Sequence, residues 1–449
     1  MTDGACIRYN ACVLLLRRPS PALVLLLAAI ACGPPPPPPG PPAFEPFSLA
    51  DGERHEVTLT LDAEGEAVLA LEGELDGVAW RTANAESVTI EVIVDRKVRR
   101  HLIWTDTPAG THRAAVGRLG AGDHTVRLTR VAEQTRAHEA TLRVTGTSLT
   151  LSPEQTLARF APILLGREDS AFTDVPLILY GHERSDGALE YTVVFSNEDG
   201  GTGAKPKVLV AEWGRLSDIE WALTVERDAD GNATARTFQG IFHGSLSFAG
   251  PMEGEHALLN VATNNGVFAD DGEASPFRIG LPVVAFEPGP GRPREAVVDD
   301  VPGAVALIDD EGMREGKIDP ACADPSKVWL AKCYAYVDVT VSASAGLGER
   351  RLWGLEARTE RGDVFRSEAD LGQAGRLNRT GQVRVAIPVG PDQEVAEVRA
   401  YFVDDGEVPI ELTFSAPILR RWTGSEWKVM PGDETVVIGG TTDSGLLWP

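Results

Sequence analysis

The chain has 449 residues, of which 43 % are hydrophobic and 24 % charged, enough for two or three domains. Its 66 acidic residues against 42 basic ones leave a formal charge of −24. That balance excludes nucleic acid as a partner, because phosphates need a basic surface, and it suits a soluble body with a strong negative field.

The chain begins with a patterned segment. Arg17 and Arg18 precede an apolar run from Ala22 to Ala31, followed by Cys32, Gly33 and prolines at 34–39, 41 and 42. Cations, a short apolar core and a small residue make an export signal. The core is shorter than the ~20 residues a bilayer-spanning helix needs. Ala29-Ile30-Ala31-Cys32 resembles the lipobox of bacterial lipoprotein signals, with Ala29 where that family prefers Leu. The resemblance implies that residues 1–31 are removed and that Cys32 becomes a lipidated N-terminus. The membrane is then a partner through the lipid anchor. Gly33 stands where an Asp would retain such a protein at the inner membrane. The expected location is therefore the cell envelope, at the outer membrane, periplasmic or surface-exposed. Residues 32–45 read as a stiff proline-rich spacer of ~3 Å per residue.

Beyond it the periodicity is two. Glu56-Val-Thr-Leu-Thr-Leu61, Ser87-Val-Thr-Ile-Glu-Val-Ile-Val94 and His124-Thr-Val-Arg-Leu-Thr-Arg-Val131 alternate between apolar and polar residues. Glycine and aspartate mark the turns between them. Residues 46–148 thus read as an antiparallel β-sandwich. Gly117-Arg-Leu-Gly-Ala-Gly-Asp-His124 resembles the turn before a late strand in secreted accessory sandwiches. The scattered His55, His101, His112, His124 and His138 are expected at the surface.

Residues 152–325 read as a central β-rich domain. A helix is expected over 153–160, with Ser152 as its cap and Gln155 three residues on. Strands are expected at 177–180, 189–196, 208–213, 218–227 and 234–243, and long loops over 265–325. Residues 326–449 resume the strand pattern, as a third sandwich or the second half of the central domain. The fold class is all-β, with two or three antiparallel sandwich-like domains.

After removal of the signal and lipidation of Cys32, Cys322 and Cys333 remain as one even pair in an oxidising compartment, where they are expected to form a disulfide. A two-ligand zinc site is an unattractive alternative, since structural zinc wants four ligands.

Candidate chemistry concentrates in the centre. Asp230-Gly231 is a two-residue hairpin turn that pairs residues whose numbers sum to 461. Asp218 then lies opposite His243, and Glu220 and Gln239 share their face. Ile219, Trp221, Leu223 and Val225 fall on a core face with Phe238 and Phe242. A carboxylate beside an imidazole is half of a general acid–base site, so Asp218, Glu220 and His243 are the candidate catalytic residues. Asn197, Glu198, Asp199, Asn264 and Asn265 are candidate binding residues. Glu198 and Asp199 are candidate calcium ligands, oxygen donors of the kind calcium prefers. A solvated hairpin face with an ordinary ion pair is the competing reading. Among Trp329, Trp353, Trp422, Trp427 and Trp448, exposed rings would stack on sugars and buried ones fill a core.

No Gly-x-Ser-x-Gly elbow, His-Glu-x-x-His zinc pair or phosphate loop occurs. Two functions remain. One is an envelope lipoprotein binding a glycan or a protein partner, with calcium as a candidate co-ligand. The other is a glycan hydrolase or lyase that uses the carboxylates and His243.

Overall fold

Alternating apolar positions close the first part of the chain into two facing sheets. Its strands are β1 (Phe47–Leu49), β2 (Arg54–Leu61), β3 (Gly65–Asp76), β4 (Ser87–Val94), β5 (Val98–Thr105), β6 (Gly110–Leu119), β7 (Gly122–Arg130) and β8 (Thr141–Leu151). They form the antiparallel sheets β1-β8-β3-β6 and β2-β7-β4-β5. Val88, Ile90, Val92 and Val94 are fully buried along β4, where alternate residues of one face meet the opposite sheet. The computed structural model describes residues 44–105, 110–198, 205–272, 275–301, 303–348, 352–367, 377–402, 410–439 and 442–449. The signal, Cys32 and most of the proline spacer lie outside them. Among the described residues no helix is long and apolar enough to cross a membrane.

Two histidines expected at the surface of this sandwich are buried. His101 is 2 % exposed, and its Nδ1 accepts the Arg278 N–H at 2.8 Å. His124 sits between Asp95 (2.7 Å) and the Gly120 carbonyl (2.9 Å). His124 thus has a partner at each ring nitrogen, whereas His101 has one at Nδ1 and its Nε2 is buried without one.

The central part opens with α1 (Gln155–Ala158), shorter than the expected helix. Ser152 does not cap it. Gln155 is used differently: its side-chain amide exchanges two hydrogen bonds with the backbone of Glu66 on β3, at 2.8 and 2.9 Å. There follow β9 (Ile163–Gly166), β10 (Pro176–Glu183), β11 (Leu189–Phe195), α2 (Pro206–Trp213), β12 (Asp218–Arg227), β13 (Ala233–Gln239) and β14 (Ser245–Ser247). Next come β15 (Met252–Glu253), β16 (His256–Val261), β17 (Phe268–Ala269), β18 (Phe277–Ile279) and β19 (Val283–Ala285). A six-stranded sheet, β14-β13-β12-β11-β10-β19, faces a smaller one built on β15-β16-β9-β18. The β10–β19 and β9–β16 pairs are parallel, a departure from the all-antiparallel expectation.

Two segments depart from the sequence reading. Residues 208–213, expected as a strand, belong to α2, which has Pro206 at its first turn and left-handed Gly214 after its end. The stretch 265–325, expected as loops, holds β17, β18, β19 and the eleven-residue helix α3 (Ala304–Arg314). Burial of Ala304, Val305 and Leu307 stabilises α3 against its glycine- and proline-rich surroundings, and the buried Glu311 is satisfied by Trp80 (3.1 Å) and Thr173 (2.8 Å).

After β20 (Ile318–Asp319) and β21 (Val328–Trp329), the chain enters β22 (Tyr334–Ala343), β23 (Trp353–Thr359), β24 (Val364–Arg366), β25 (Gly381–Pro388), β26 (Val395–Phe402), β27 (Glu411–Trp422), β28 (Trp427–Pro431), β29 (Val436–Gly439) and β30 (Ser444–Trp448). Two sheets result, β25-β22-β27-β28 with β29 on β27, and β24-β23-β26-β30. They enclose a core around Trp353 and Phe414. Trp329, Trp422, Trp427 and Trp448 are half-buried. Cys322 and Cys333 form a disulfide between β20 and β22. The all-β sandwich expectation holds.

Candidate functional site

Strand β12 carries the site, and one extra residue sets its geometry. Tyr191 pairs with Leu223, but Thr192 pairs with Trp221, so Ala222 is bulged out of the ladder. A bulge shifts side-chain alternation by one position. Residues paired directly share a face. Leu223 and Val225 therefore face the same side as Glu220, paired with Val193, and Asp218, paired with Phe195. That side is the buried core between the two central sheets. Ile219 points the opposite way, into a second core with Val194 and Tyr180. The sequence reading had put Ile219 and Trp221 with Leu223 and Val225 and the carboxylates opposite. The bulge reverses this.

The hairpin register is as expected over its middle. Leu223–Phe238, Thr224–Thr237, Val225–Arg236 and Glu226–Ala235 all sum to 461. Beyond Gln239 it fails. The chain leaves the sheet in a turn over Ile241–His243, closed by the Gly240 N–H on the Gly244 carbonyl at 2.8 Å. Asp218 thus lies opposite Phe195 rather than His243. His243 instead reaches Glu220, with Nδ1 3.5 Å from Oε2, and Gln239 joins them. The Gln239 amide donates to Glu220, and its nitrogen stands 2.9 Å from His243 Nδ1.

Asp218 and Glu220 adjoin here, and the charge of Glu198 is felt at Asp218. Asp218 is 1 % exposed and Glu220 9 %. Burial, followed by the charge of Glu220, pushes the Asp218 carboxyl well above the usual carboxylate range, which favours its protonated form as a hydrogen-bond donor to Glu220. Glu198 is bridged to Arg215 at 2.9 Å, and this cation partly offsets the rise at Asp218. Gly266, with φ +60°, lies over Asp218 Oδ2 and the Phe195 ring.

The other candidate residues are dispersed. Asn197 is held by Glu315 (3.1 Å) and Lys317 (2.8 Å), beyond the end of α3. Asn264 is exposed, and Asn265 is buried in the turn before β17. Asp199 lies outside the described residues. Glu198 already faces Arg215, and among the described residues no three His, Cys, Asp or Glu side chains are grouped to hold a metal.

Phe242 was expected in the core, yet it is 92 % exposed, flanked by Ile241 at 49 % and Leu246 at 50 %. Its backbone is left-handed, φ 72°, as is that of His243, φ 58°. Bulky residues rarely take that conformation, which costs roughly 1–2 kcal/mol. The glycines bracketing Ile-Phe-His, Gly240 and Gly244, are the sequence signal for this turn. Arg215 had none: nothing local marks it as the partner of Glu198. The turn exposes the Phe242 ring next to His243, whose imidazole is backed by the buried Gln239 amide and Glu220 carboxylate.

No family model matches the chain, and no curated protein matches it. Among solved structures, it is similar to the CBM36-1 domain of a multidomain xylanase from the hindgut metagenome of Trinervitermes trinervoides, at 11 % identity and a TM-score of 0.19, covering 23 % of this chain and 74 % of that one. It is also similar to a family two carbohydrate esterase from Clostridium thermocellum in complex with cellohexaose, at 16 % identity and a TM-score of 0.15, covering 28 % of this chain and 34 % of that one. An active site mutant of that esterase matches at 15 % identity and a TM-score of 0.15, with 30 % and 37 % covered. The chain thus spans about a third of the esterase's length.

Proposed function

We propose that this chain is a cell-envelope lipoprotein whose body is an extracytoplasmic glycan-binding module, with the turn at Ile241–His243 as its contact surface. The observation that carries the reading is Phe242. Its ring stands almost wholly in solvent on a left-handed backbone, with the exposed Ile241 before it and the half-exposed His243 after it. A sugar offers a C–H face to an aromatic ring and hydroxyls to the half-exposed His243, which Gln239 and Glu220 hold from the buried side. A conformational cost retained at an exposed aromatic is better explained by a ligand than by folding. The lipobox-like pattern and the proline spacer support a location of the same surface outside the cytoplasm.

The test is affinity electrophoresis in gels containing soluble envelope and plant polysaccharides. Wild type should be retarded by at least one of them, and Phe242→Ala should lose the retardation while Val429→Ala, an exposed control on β28, keeps it. Equal retardation of Phe242→Ala and wild type overturns the proposal. Incorporation of labelled palmitate that is abolished by Cys32→Ser tests the anchor.

A second reading, a glycan hydrolase or lyase using Asp218, Glu220 and His243, is favoured by the buried, protonated Asp218. Burial holds the Asp218 carboxyl towards the protonated form that a general acid needs. Loss of polysaccharide cleavage in Asp218→Asn and His243→Ala would restore this reading.

A further inference from the structure

A second cavity lies where α3 and the end of α2 meet the C-terminal sandwich. It opens ≈ 50 Å³ to the centre of a water-sized sphere, room for about three waters or the bulk of a methylated ammonium head. Four aromatic residues line it: Trp329, Tyr334, Tyr336 and Trp427. Successive rings stand 6.3, 6.0 and 5.3 Å apart and are inclined by 44°, 51° and 77°, so they turn from one another as the walls of a cup do.

The wall is fixed in place. Tyr334 Oη accepts the Trp329 N–H at 3.0 Å, and the Trp329 indole donates to the Asp324 carbonyl at 3.1 Å. The Cys322–Cys333 disulfide closes the loop that carries Trp329. The indole N–H of Trp427 is buried without a partner.

The charges lining the cavity are unequally matched. Arg384 is held by Asp299 and Asp338 at 2.6–2.9 Å, and Arg215 by Glu198. Glu295 has Arg379 at 3.6 Å and Arg294 at 3.5 Å. Asp309 differs. Its two oxygens share only the Ala331 N–H, at 3.2 Å each, and among the described residues no cationic side chain comes within ion-pairing distance. Burial pushes its carboxyl up to about 7, with Asp310 and Lys332 as the charged groups nearby. The Arg384 guanidinium already stands over the Tyr336 and Trp427 rings, at 5.9 and 5.6 Å, so the unmatched carboxylate and the rings of Trp329 and Tyr334 are what attract a further cation.

We infer that this cavity is a binding site for a small organic cation, an alkylated ammonium group seated against the aromatic wall and paired with Asp309. The unpartnered Trp427 N–H would take an oxygen of the same ligand. The site is separate from the turn at Phe242 and does not depend on the glycan reading.

The test uses the full chain and calorimetric titration, with tetramethylammonium and choline as probes and 3,3-dimethylbutan-1-ol as the neutral isostere of choline. Both cations should bind saturably and quench tryptophan fluorescence, and the neutral isostere should bind at least ~10-fold more weakly. Asp309→Asn keeps the shape and removes the charge. It should lose about 10-fold in affinity for the cations without a lower thermal midpoint. Trp427→Phe should weaken choline, which carries an oxygen, more than tetramethylammonium, which has none. Phe242→Ala should bind both as wild type does. Equal binding of choline and its neutral isostere, undiminished binding by Asp309→Asn, or no binding of either cation would overturn the proposal and leave the cavity as a hydrated packing gap.

Discussion

Gly266 rests directly on the carboxyl of Asp218: a Cβ at that glycine would stand 2.6 Å from Oδ2 and 2.8 Å from the Phe195 ring. The backbone there has φ +60°. Both the space and the conformation therefore require glycine. Gly266→Ala should destabilise the protein by roughly 1–3 kcal/mol, read from the urea midpoint, through left-handed strain and displacement of a fully buried ring. An unchanged midpoint would mean that the turn at 264–266 is free to move off Asp218.

Asp218 gives a pH-dependent prediction. Its folded-state carboxyl is raised above the unfolded value. The folded state thus keeps a proton that the unfolded chain releases near pH 4, and the stability linked to that proton is lost as pH rises from there towards the folded value. Asn has no proton to lose, and its amide can donate to Glu220 as the protonated acid does. Asp218→Asn should therefore match wild type near pH 4 and become progressively the more stable protein towards pH 7 in chemical denaturation. A constant difference across that range would contradict a protonated Asp218.

His101 works in the opposite sense. Burial, and then the charge of Arg99, lower its imidazole to about 4. Its Nδ1 accepts the Arg278 N–H across the seam between β5 and β18, so the neutral ring is the form the fold uses. The unfolded chain takes up a proton near pH 6.5, so this contribution is complete above that pH and declines as pH falls towards 4. The decline amounts to ~3 kcal/mol at most. His101→Gln keeps an acceptor without a titration. The stability advantage of wild type over this variant should shrink between pH 6.5 and pH 4. A difference independent of pH would show that His101 does not titrate differently on folding.

The disulfide should contribute in proportion to the loop it closes. Cys322 and Cys333 are 11 residues apart, and closing a loop of that size is worth ~2–3 kcal/mol. Cys322→Ser/Cys333→Ser should lower the denaturation midpoint accordingly, and wild type in reductant should follow it. Coincident wild-type curves with and without reductant would sink this expectation.

The sequence carried the strand content and the Asp230-Gly231 hairpin in plain form, because alternation and turn chemistry are local. It carried the disulfide by the arithmetic of cysteines in a chain read as exported. Beyond these, legibility ended where one residue decides the outcome. The bulge at Ala222 has no local marker, so the faces of Asp218 and Glu220 were assigned backwards. Gly240 ends β13 before His243 can reach the sheet, so the partner of His243 is Glu220 rather than Asp218. The segment 208–213 is apolar and carries valine at 208 and 210, which suits a strand. Pro206 and Gly214, the caps that make it α2, stand outside that window. Helix α3 was hidden because its stability comes from packing on distant elements, not from its own short apolar pattern.

The unpaired residue at Ala222 acts on β12 as a phase slip acts on a wave. Everything from Trp221 back to Asp218 is inverted relative to the strand beyond, though no side chain in that stretch has changed. Removing Ala222 would therefore be a larger change than replacing it. Deletion would restore the phase, turn two acids away from the core that now holds them, and bring Ile219 into their place. Such a position gives the strand two alternative interiors separated by the loss of one residue, so a chain of nearly the same sequence could carry its carboxylates on the opposite side of the sheet.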